Sequence, residues 1–283
     1  ETDNPLPLVM DRARSVKALF AGSIAGPTDG LTLCYTFNAD SGTNVWDSSG
    51  NGRDGYLVGD VTYDDSLFGK APRFTSRDTY IVAPSPELNV NGATGLTLSL
   101  WIEMNNYTTY GYVLGRGEVT GSTDGGYWAS VGGEWAGSYF YGTFGVKTGA
   151  DTWEVLPSKT FGLGVQPWPA LNRWYLLTET YDVYTMRSYV NGVLDTNRTL
   201  GSILQPLFDS PGTKTVIGTV ARQPIIDWYD MFFCGLIDEV RIYNRALSPE
   251  EVAVLYAQPT QVTLSGQVTY TGRQTGSIHV VAV

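Results

Sequence analysis

Acidic, amide and aromatic side chains are the groups in this chain that could do chemistry, and their spacing limits what that chemistry can be. Within GLIDEVRIY, 235–243, Leu236, Val240 and Ile242 alternate with polar neighbours, as a strand with one face on a core requires, and Asp238 falls on the apolar side. An unpaired buried carboxylate is costly, so Asp238 must be exposed at a sheet edge, hydrogen-bonded or held on a metal. The single histidine, His279, lies close to the C-terminus, which leaves the body of the chain without the base of a Ser-His-Asp or Cys-His arrangement. A retaining glycosidase needs two carboxyl groups about 5 Å apart. Glu179 and Asp182 are three residues apart on a strand-like run, which places them on opposite faces. Sugars present apolar ring faces that stack on aromatic side chains, flanked by hydroxyls that need polar partners. Trp128, Trp135, Tyr139, Tyr141 and Trp153, crowded into a Gly-rich segment, are the candidates for such a surface, and sheet-face packing is the alternative use of the same rings.

These groups must be positioned by strands. Leu31, Leu33, Tyr35 and Phe37 alternate with Thr and Cys, and FNADSGTNVWDSSGNGRDG, 37–55, follows as a long turn region rich in the residues that tolerate left-handed backbone. Strands are expected around Phe74 and over Tyr80 to Val82. In LTLSLWIEM, 96–104, Leu96, Leu98, Leu100 and Ile102 occupy one face and Trp101 the other, the pattern of a strand buried on both sides, with YVLGRG, 112–117, expected as its partner. Asn191-Gly192 between alternating apolar residues predicts a two-residue hairpin. Ser248, Pro249 and Glu251 spell an N-cap, a first-turn proline and a capping box, opening a short helix with Val252, Leu255 and Tyr256 as its apolar stripe. Beyond Pro259, Val262 to Tyr270 and Ser277 to Val283 read as one further hairpin.

The chain has 283 residues, enough for one large all-β domain, and its 33 glycines, 18 tyrosines and 8 tryptophans describe short strands joined by turns. A formal net charge of −10 argues against nucleic acid and anionic membrane surfaces, where a basic face supplies most of the affinity. Neutral glycans or divalent cations suit such a surface better. No run of 18 apolar residues is present, so insertion in a membrane as a helix is not expected. The chain begins at Glu1 without a charged and apolar leader, as a processed product or an excised piece would.

GLIDEVRIYNRALSPEEV resembles the closing motif of the laminin-G-like (concanavalin A-like) jelly-roll modules of secreted bacterial proteins. The resemblance runs from about Gly30 to Tyr256: Asp47-Ser48-Ser49-Gly50-Asn51 with Asp54-Gly55 match the family's opening turn, and Gly69-Lys70-Ala71 leads into its next strand. It implies an all-β, two-sheet antiparallel jelly-roll sandwich with one short helix after the closing strand. The expected organisation is a leader over 1–30, the jelly roll over 31–258 and an extra β-hairpin over 259–283. That hairpin resembles the start of a small secreted β-sandwich of the carboxypeptidase-regulatory kind, or serves as an inter-subunit strand.

The family's structural calcium ion, carried over position by position, implies Asn38, Asp40, the Phe74 carbonyl and Asp238 as ligands; Asn38 stands where the family has an acid, which lowers the ligand charge. Cys34 and Cys234 fall on the first and last strands, which pair in the family's fold. A disulfide is one reading, and two buried free thiols are the other, because pairing Asn38 opposite Asp238 sets Cys34 roughly eight positions from Cys234. The E-x-D-x-x-E and E-x-D-x-E strings of the related glucanases are missing. The resemblance therefore implies a non-catalytic, calcium-stabilised recognition or adhesion module, secreted or at the cell surface, with glycans or a cell-surface protein as partner. The alternative is a subunit of an extracellular fibre or surface layer, self-assembling by strand addition through the two terminal segments.

Overall fold

The computed structural model describes residues 16–17, 26–40, 42–76, 78–84, 86–107, 111–116, 126–132, 134–135, 138–139, 142–150, 152–161, 169–201, 205–209, 213–219, 232–257 and 265–266. In chain order the first strands are β1 (Val16–Lys17), β2 (Leu31–Tyr35), β3 (Asn44–Val45), β4 (Gly55–Val58), β5 (Thr62–Asp65), β6 (Lys70–Phe74) and β7 (Tyr80–Ala83). A central group follows: β8 (Leu96–Met104), β9 (Gly111–Arg116), β10 (Tyr127–Val131), β11 (Glu134–Trp135), β12 (Ser138–Tyr139), β13 (Thr143–Gly149) and β14 (Thr152–Pro157). The last group comprises β15 (Trp174–Tyr181), β16 (Thr185–Val190), β17 (Val193–Thr199), β18 (Thr215–Ile217), β19 (Gly235–Tyr243), helix α1 (Pro249–Tyr256) and β20 (Ser265–Gly266).

The chain divides into two compact units, Ile24–Thr260 and a smaller one made of Glu1–Ser23 with Gln261–Val283. In the smaller unit β1 and β20 pair antiparallel, Val16 opposite Gly266. The two terminal segments thus share one ladder, and the rest of the expected hairpin over 262–283 lies outside the described residues.

The larger unit is the sandwich. One sheet runs β14-β13-β10-β9-β18-β7-β4-β3 and the other β17-β16-β15-β8-β19-β6-β5, with β2 also on β19. Between them lies a core that includes Leu33, Phe74, Leu98, Leu100, Ile102, Val113, Phe144, Leu177, Ile217 and Ile242. A second cluster covers the outer face of the second sheet, where Val252 and Leu255 of α1 sit with Trp101, Leu176, Tyr189 and Tyr243. This accounts for the two apolar faces of β8: one looks into the sandwich and the other under the helix. β9 does not partner β8 as chain order suggests. It crosses to the other sheet and pairs with β10 and β18.

Local signals form as their residue types dictate. The Ser248 side chain accepts from the Glu251 amide, Glu251 returns the bond to the Ser248 amide, and Pro249 opens α1. Asn191 and Gly192 both take positive φ, 53° and 77°, the two-residue turn that matches strand twist. Tyr256, expected in the buried stripe of α1, is 44% exposed and lies stacked on Trp101 at 5.7 Å.

The closing strand departs most from its sequence pattern. The register of β19 on β8 shifts between Asp238 and Arg241, and Glu239 sits at φ 52°, the signature of a β-bulge. The extra residue resets the alternation: Ile237, Val240 and Ile242 face the core between the sheets, not Leu236, Val240 and Ile242. Asp238 consequently points to the outer face of the sheet, opposite Trp101 of β8.

Candidate functional site

Asp238 is fully buried beneath that outer face. One carboxylate oxygen accepts from the Ser66 hydroxyl and the other from the Glu239 amide at 2.7 Å. Burial pushes its pKa well up, and the neighbouring Glu239 carboxylate adds to the rise, against the pull of Ser66, the Glu239 amide and Arg241. Glu239 itself pairs with Arg241, both nearly fully buried.

Asn38 adjoins the same place: its amide donates to the Phe68 carbonyl at 3.0 Å and its oxygen accepts from the Lys70 amide at 2.9 Å. The turn that Asn38 holds is the one that supplies Ser66 to Asp238. The other two expected calcium ligands are not brought there. Asp40 accepts from the Trp46 amide at 3.0 Å and from the Tyr63 hydroxyl at 2.9 Å. Phe74 pairs with Gly235, three residues along β19 from Asp238, so its carbonyl is roughly 10 Å away along the strand. Asn38 and Asp238 are thus linked through the 66–70 turn, while Asp40 and Phe74 make their bonds elsewhere. Among the described residues no three His, Cys, Asp or Glu side chains group as a metal centre.

Cys34 lies opposite Arg241, seven residues along β19 from Gly235's predecessor Cys234. That separation, roughly 23 Å, is several times a disulfide's Cα span, and both thiols are free. The disulfide reading is thereby corrected by register alone.

The aromatic candidates divide too. Tyr127 and Ala129 of β10 face the core, so Trp128 points out of the sandwich, yet it is only 5% exposed. Its ring lies over Gly145 on the neighbouring strand, where a Cβ would collide with it, and its indole N–H donates to Thr143 at 3.0 Å. Trp153 of β14 leans on Trp128 with ring centroids 4.6 Å apart, and the fully buried Lys147 ammonium lies between the Trp153 and Phe208 rings at 5.5 and 5.1 Å. Trp128 is thus support, and Trp153, half-buried, is the outer member. Trp135 and Tyr139 fall on the two-residue strands β11 and β12, whose side chains lie outside the description, as does Tyr141 entirely.

Glu179 and Asp182 separate as their spacing predicts, and one feature, the exposed pair Trp46 and Tyr56 beside the opening turn, is marked by no motif. Glu179 shares the inward parity of Tyr175, Leu177 and Tyr181, and is buried inside the sandwich. It accepts from the Ser188 hydroxyl at 3.0 Å, and its second oxygen has no hydrogen-bond partner among the described residues. Burial raises its pKa well above the carboxylic range, with Asp195 adding to the rise. Asp182 is instead held at the β15–β16 turn by Arg187. In the opening turn, as its residue types predict, Asp47 accepts from the amides of Cys34, Ser49 and Arg53 and Asp54 accepts from the amide of Asp47. These two acids build the turn. Beside them Trp46 and Tyr56 stand out at 43% and 48% exposed.

Comparison with solved structures places this architecture. Domain 4 of AbnA, an extracellular GH43 arabinanase from Geobacillus stearothermophilus solved with arabinotriose, is 25% identical with a TM-score of 0.56, over 81% of this chain and 98% of that one. The botulinum neurotoxin serotype D ligand-binding domain, solved with N-acetylneuraminic acid, is 17% identical with a TM-score of 0.59 over 83% of this chain. The botulinum neurotoxin DC binding domain, solved with rat synaptotagmin II, is 15% identical with a TM-score of 0.59 over 81% of it. The chain spans about half the length of these toxin domains, 52% of each, and at that identity they speak for the fold alone. No curated protein matches the chain. No helix among the described residues is long and apolar enough to cross a membrane, which says nothing of strands. The laminin-G family model described as the concanavalin A-like lectin/glucanases superfamily matches residues 75–253, more than half of the chain. The two eight-stranded sheets, the bulged closing strand and the capped helix are thus those of a member of the concanavalin A-like lectin/glucanases superfamily, in its laminin-G branch, to which this chain belongs.

Proposed function

We propose that the sandwich is a non-catalytic glycan-recognition module of an extracellular protein. The observation that carries this reading is the 25% identity to a domain solved with arabinotriose, which this chain covers almost end to end. The placement of the acids supports it: Glu179 lies inside the sandwich and Asp182 at a turn, so this pair cannot flank a glycosidic bond. Rigid strands carrying aromatic side chains suit a stacking surface, because little freedom is lost on binding. The test is an array of plant, microbial and host oligosaccharides, followed by titration of each hit monitored by tryptophan fluorescence. Saturable binding to a defined sugar class is expected, and silence across the array sinks the reading.

Calcium stabilisation is a subsidiary part of the proposal. Its support is a buried Asp238 beside a second carboxylate, with the Asn38 amide and the Ser66 hydroxyl at the same turn. A divalent cation there would offset the cost of that burial. Chelation is expected to lower the melting temperature, and added calcium to restore it. Superimposable melting curves with and without chelator would remove the ion from the proposal.

A further inference from the structure

Trp46 and Tyr56 form a surface that no motif assigns. In the ladder of β3 on β4, Asn44 is opposite Tyr56 and Val45 opposite Gly55. Val45 and Leu57 face the core, so Asn44 and Tyr56 point away from it, on the outer face of the first sheet, and Trp46, the residue just past β3, is exposed beside them. Trp46 follows Asn44 by two residues, and Asn44 is the ladder partner of Tyr56, which sets both rings at the same sheet edge. One short oligosaccharide can reach across that edge.

The placement of Trp46 is fixed. Its amide donates to Asp40 at 3.0 Å, and the next amide, that of Asp47, donates to Asp54 at 2.8 Å. Asp47 in turn holds the amides of Cys34 and Arg53, tying the segment to the first strand of the sandwich. Tyr56 is set in β4, which pairs with both β3 and β7. The backbone that carries the two rings is thus held in place, both rings stand half in water, and neither completes the core. Single exposed apolar residues need no explanation, but two adjacent rings on one immobilised sheet edge do. Among the described residues beside them are the exposed Asn44 amide and the carboxylates of Asp40, which takes the Trp46 amide, and Asp54, with Val82 opposite Tyr56 on β7.

We propose that Trp46 and Tyr56 are the stacking platform for a neutral oligosaccharide, with the Asn44 amide as hydrogen-bonding partner for its hydroxyls. The chemistry selects that class. Flat rings flanked by hydrogen-bonding groups match the alternation of apolar faces and hydroxyls on a sugar, and an apolar peptide would meet carboxylates where it needs hydrocarbon. The two flanking acids and the net charge of −10 disfavour an acidic glycan. This inference rests on the glycan-recognition reading and gives it an address.

The experiment uses the full chain and arabinotriose together with a panel of neutral and sialylated oligosaccharides, read by titration calorimetry. Trp46→Ala and Tyr56→Ala are expected each to weaken binding of the neutral ligand about tenfold or more while melting like the parent, and Trp153→Ala is expected to leave binding within a factor of two although it lowers the melting temperature. If the parent binds and both platform variants bind equally well, the site lies elsewhere and only this inference falls. If the parent prefers sialylated over neutral sugars, the ligand class is wrong. If the parent binds nothing on the panel, both this inference and the reading it rests on fall.

Discussion

Glu179 is a carboxyl group in a place where hydrocarbon would be expected, and its protonation is what the fold tolerates. Its folded pKa is raised by burial above the unfolded value of about 4.3. Below that value both states hold the proton and the contribution to stability is complete. As pH rises past it, the unfolded chain releases the proton while the folded one keeps it. Stability then falls by about 1.4 kcal/mol per pH unit until the folded pKa is reached. Glu179→Gln should therefore match the parent near pH 4, be the more stable of the two at pH 8, and flatten the profile between them, as urea unfolding at several pH values will show. The residue's inward position is legible in WYLLTETY, where Tyr175, Leu177, Glu179 and Tyr181 share one parity. What no single strand discloses is that Ser188 supplies its one partner from the next strand. Trp46 was hidden for another reason: it sits among residues that read as turn formers, so its ring draws no notice until the ladder beside it shows which way Val45 points.

At the scale of elements, the hairpin β16–β17 and helix α1 depend on one another. A Cβ on Gly192 would come within 2.9 Å of Tyr256 on the helix, and the glycine's φ of 77° is one that L side chains adopt only with strain. Gly192→Ala should cost about 1–2 kcal/mol from the backbone alone and lower the melting temperature by roughly 2–8 °C in a thermal scan. Asn-Gly and the Ser-Pro-x-Glu cap are legible because each works through bonds within a few residues. The bulge of β19 was not, because nothing local demands it: Glu239 at positive φ is accepted in exchange for placing Asp238 and Arg241 together under the helix with Val240 and Ile242 inside. Alternation alone gave Leu236 the position that Ile237 holds, and a one-residue change of phase is what period-two patterns cannot foresee.

For the whole molecule, the matched motif carried the architecture, while the ligand was beyond it, since the residues that repeat across a fold family are those that close sheets and shape turns. Binding to stacked rings rather than to charges has a signature in bulk solution. The affinity of the parent chain for its neutral oligosaccharide should change less than twofold between about 50 and 500 mM salt, because screening acts on charge pairs and leaves dispersion and desolvation nearly untouched. A steep salt dependence in the same titration would point to an ionic ligand. The absence of a disulfide at the first and last strands also makes the sandwich indifferent to reductant. Burial pushes the Cys34 thiol up to about 12, so it stays protonated and unreactive at neutral pH, whereas Cys234 is partly exposed at the foot of the closing strand. The native chain thus comes with a single addressable sulfur, and a dye or spin label attached to it would report from the strand that shuts the sandwich without any residue being engineered in.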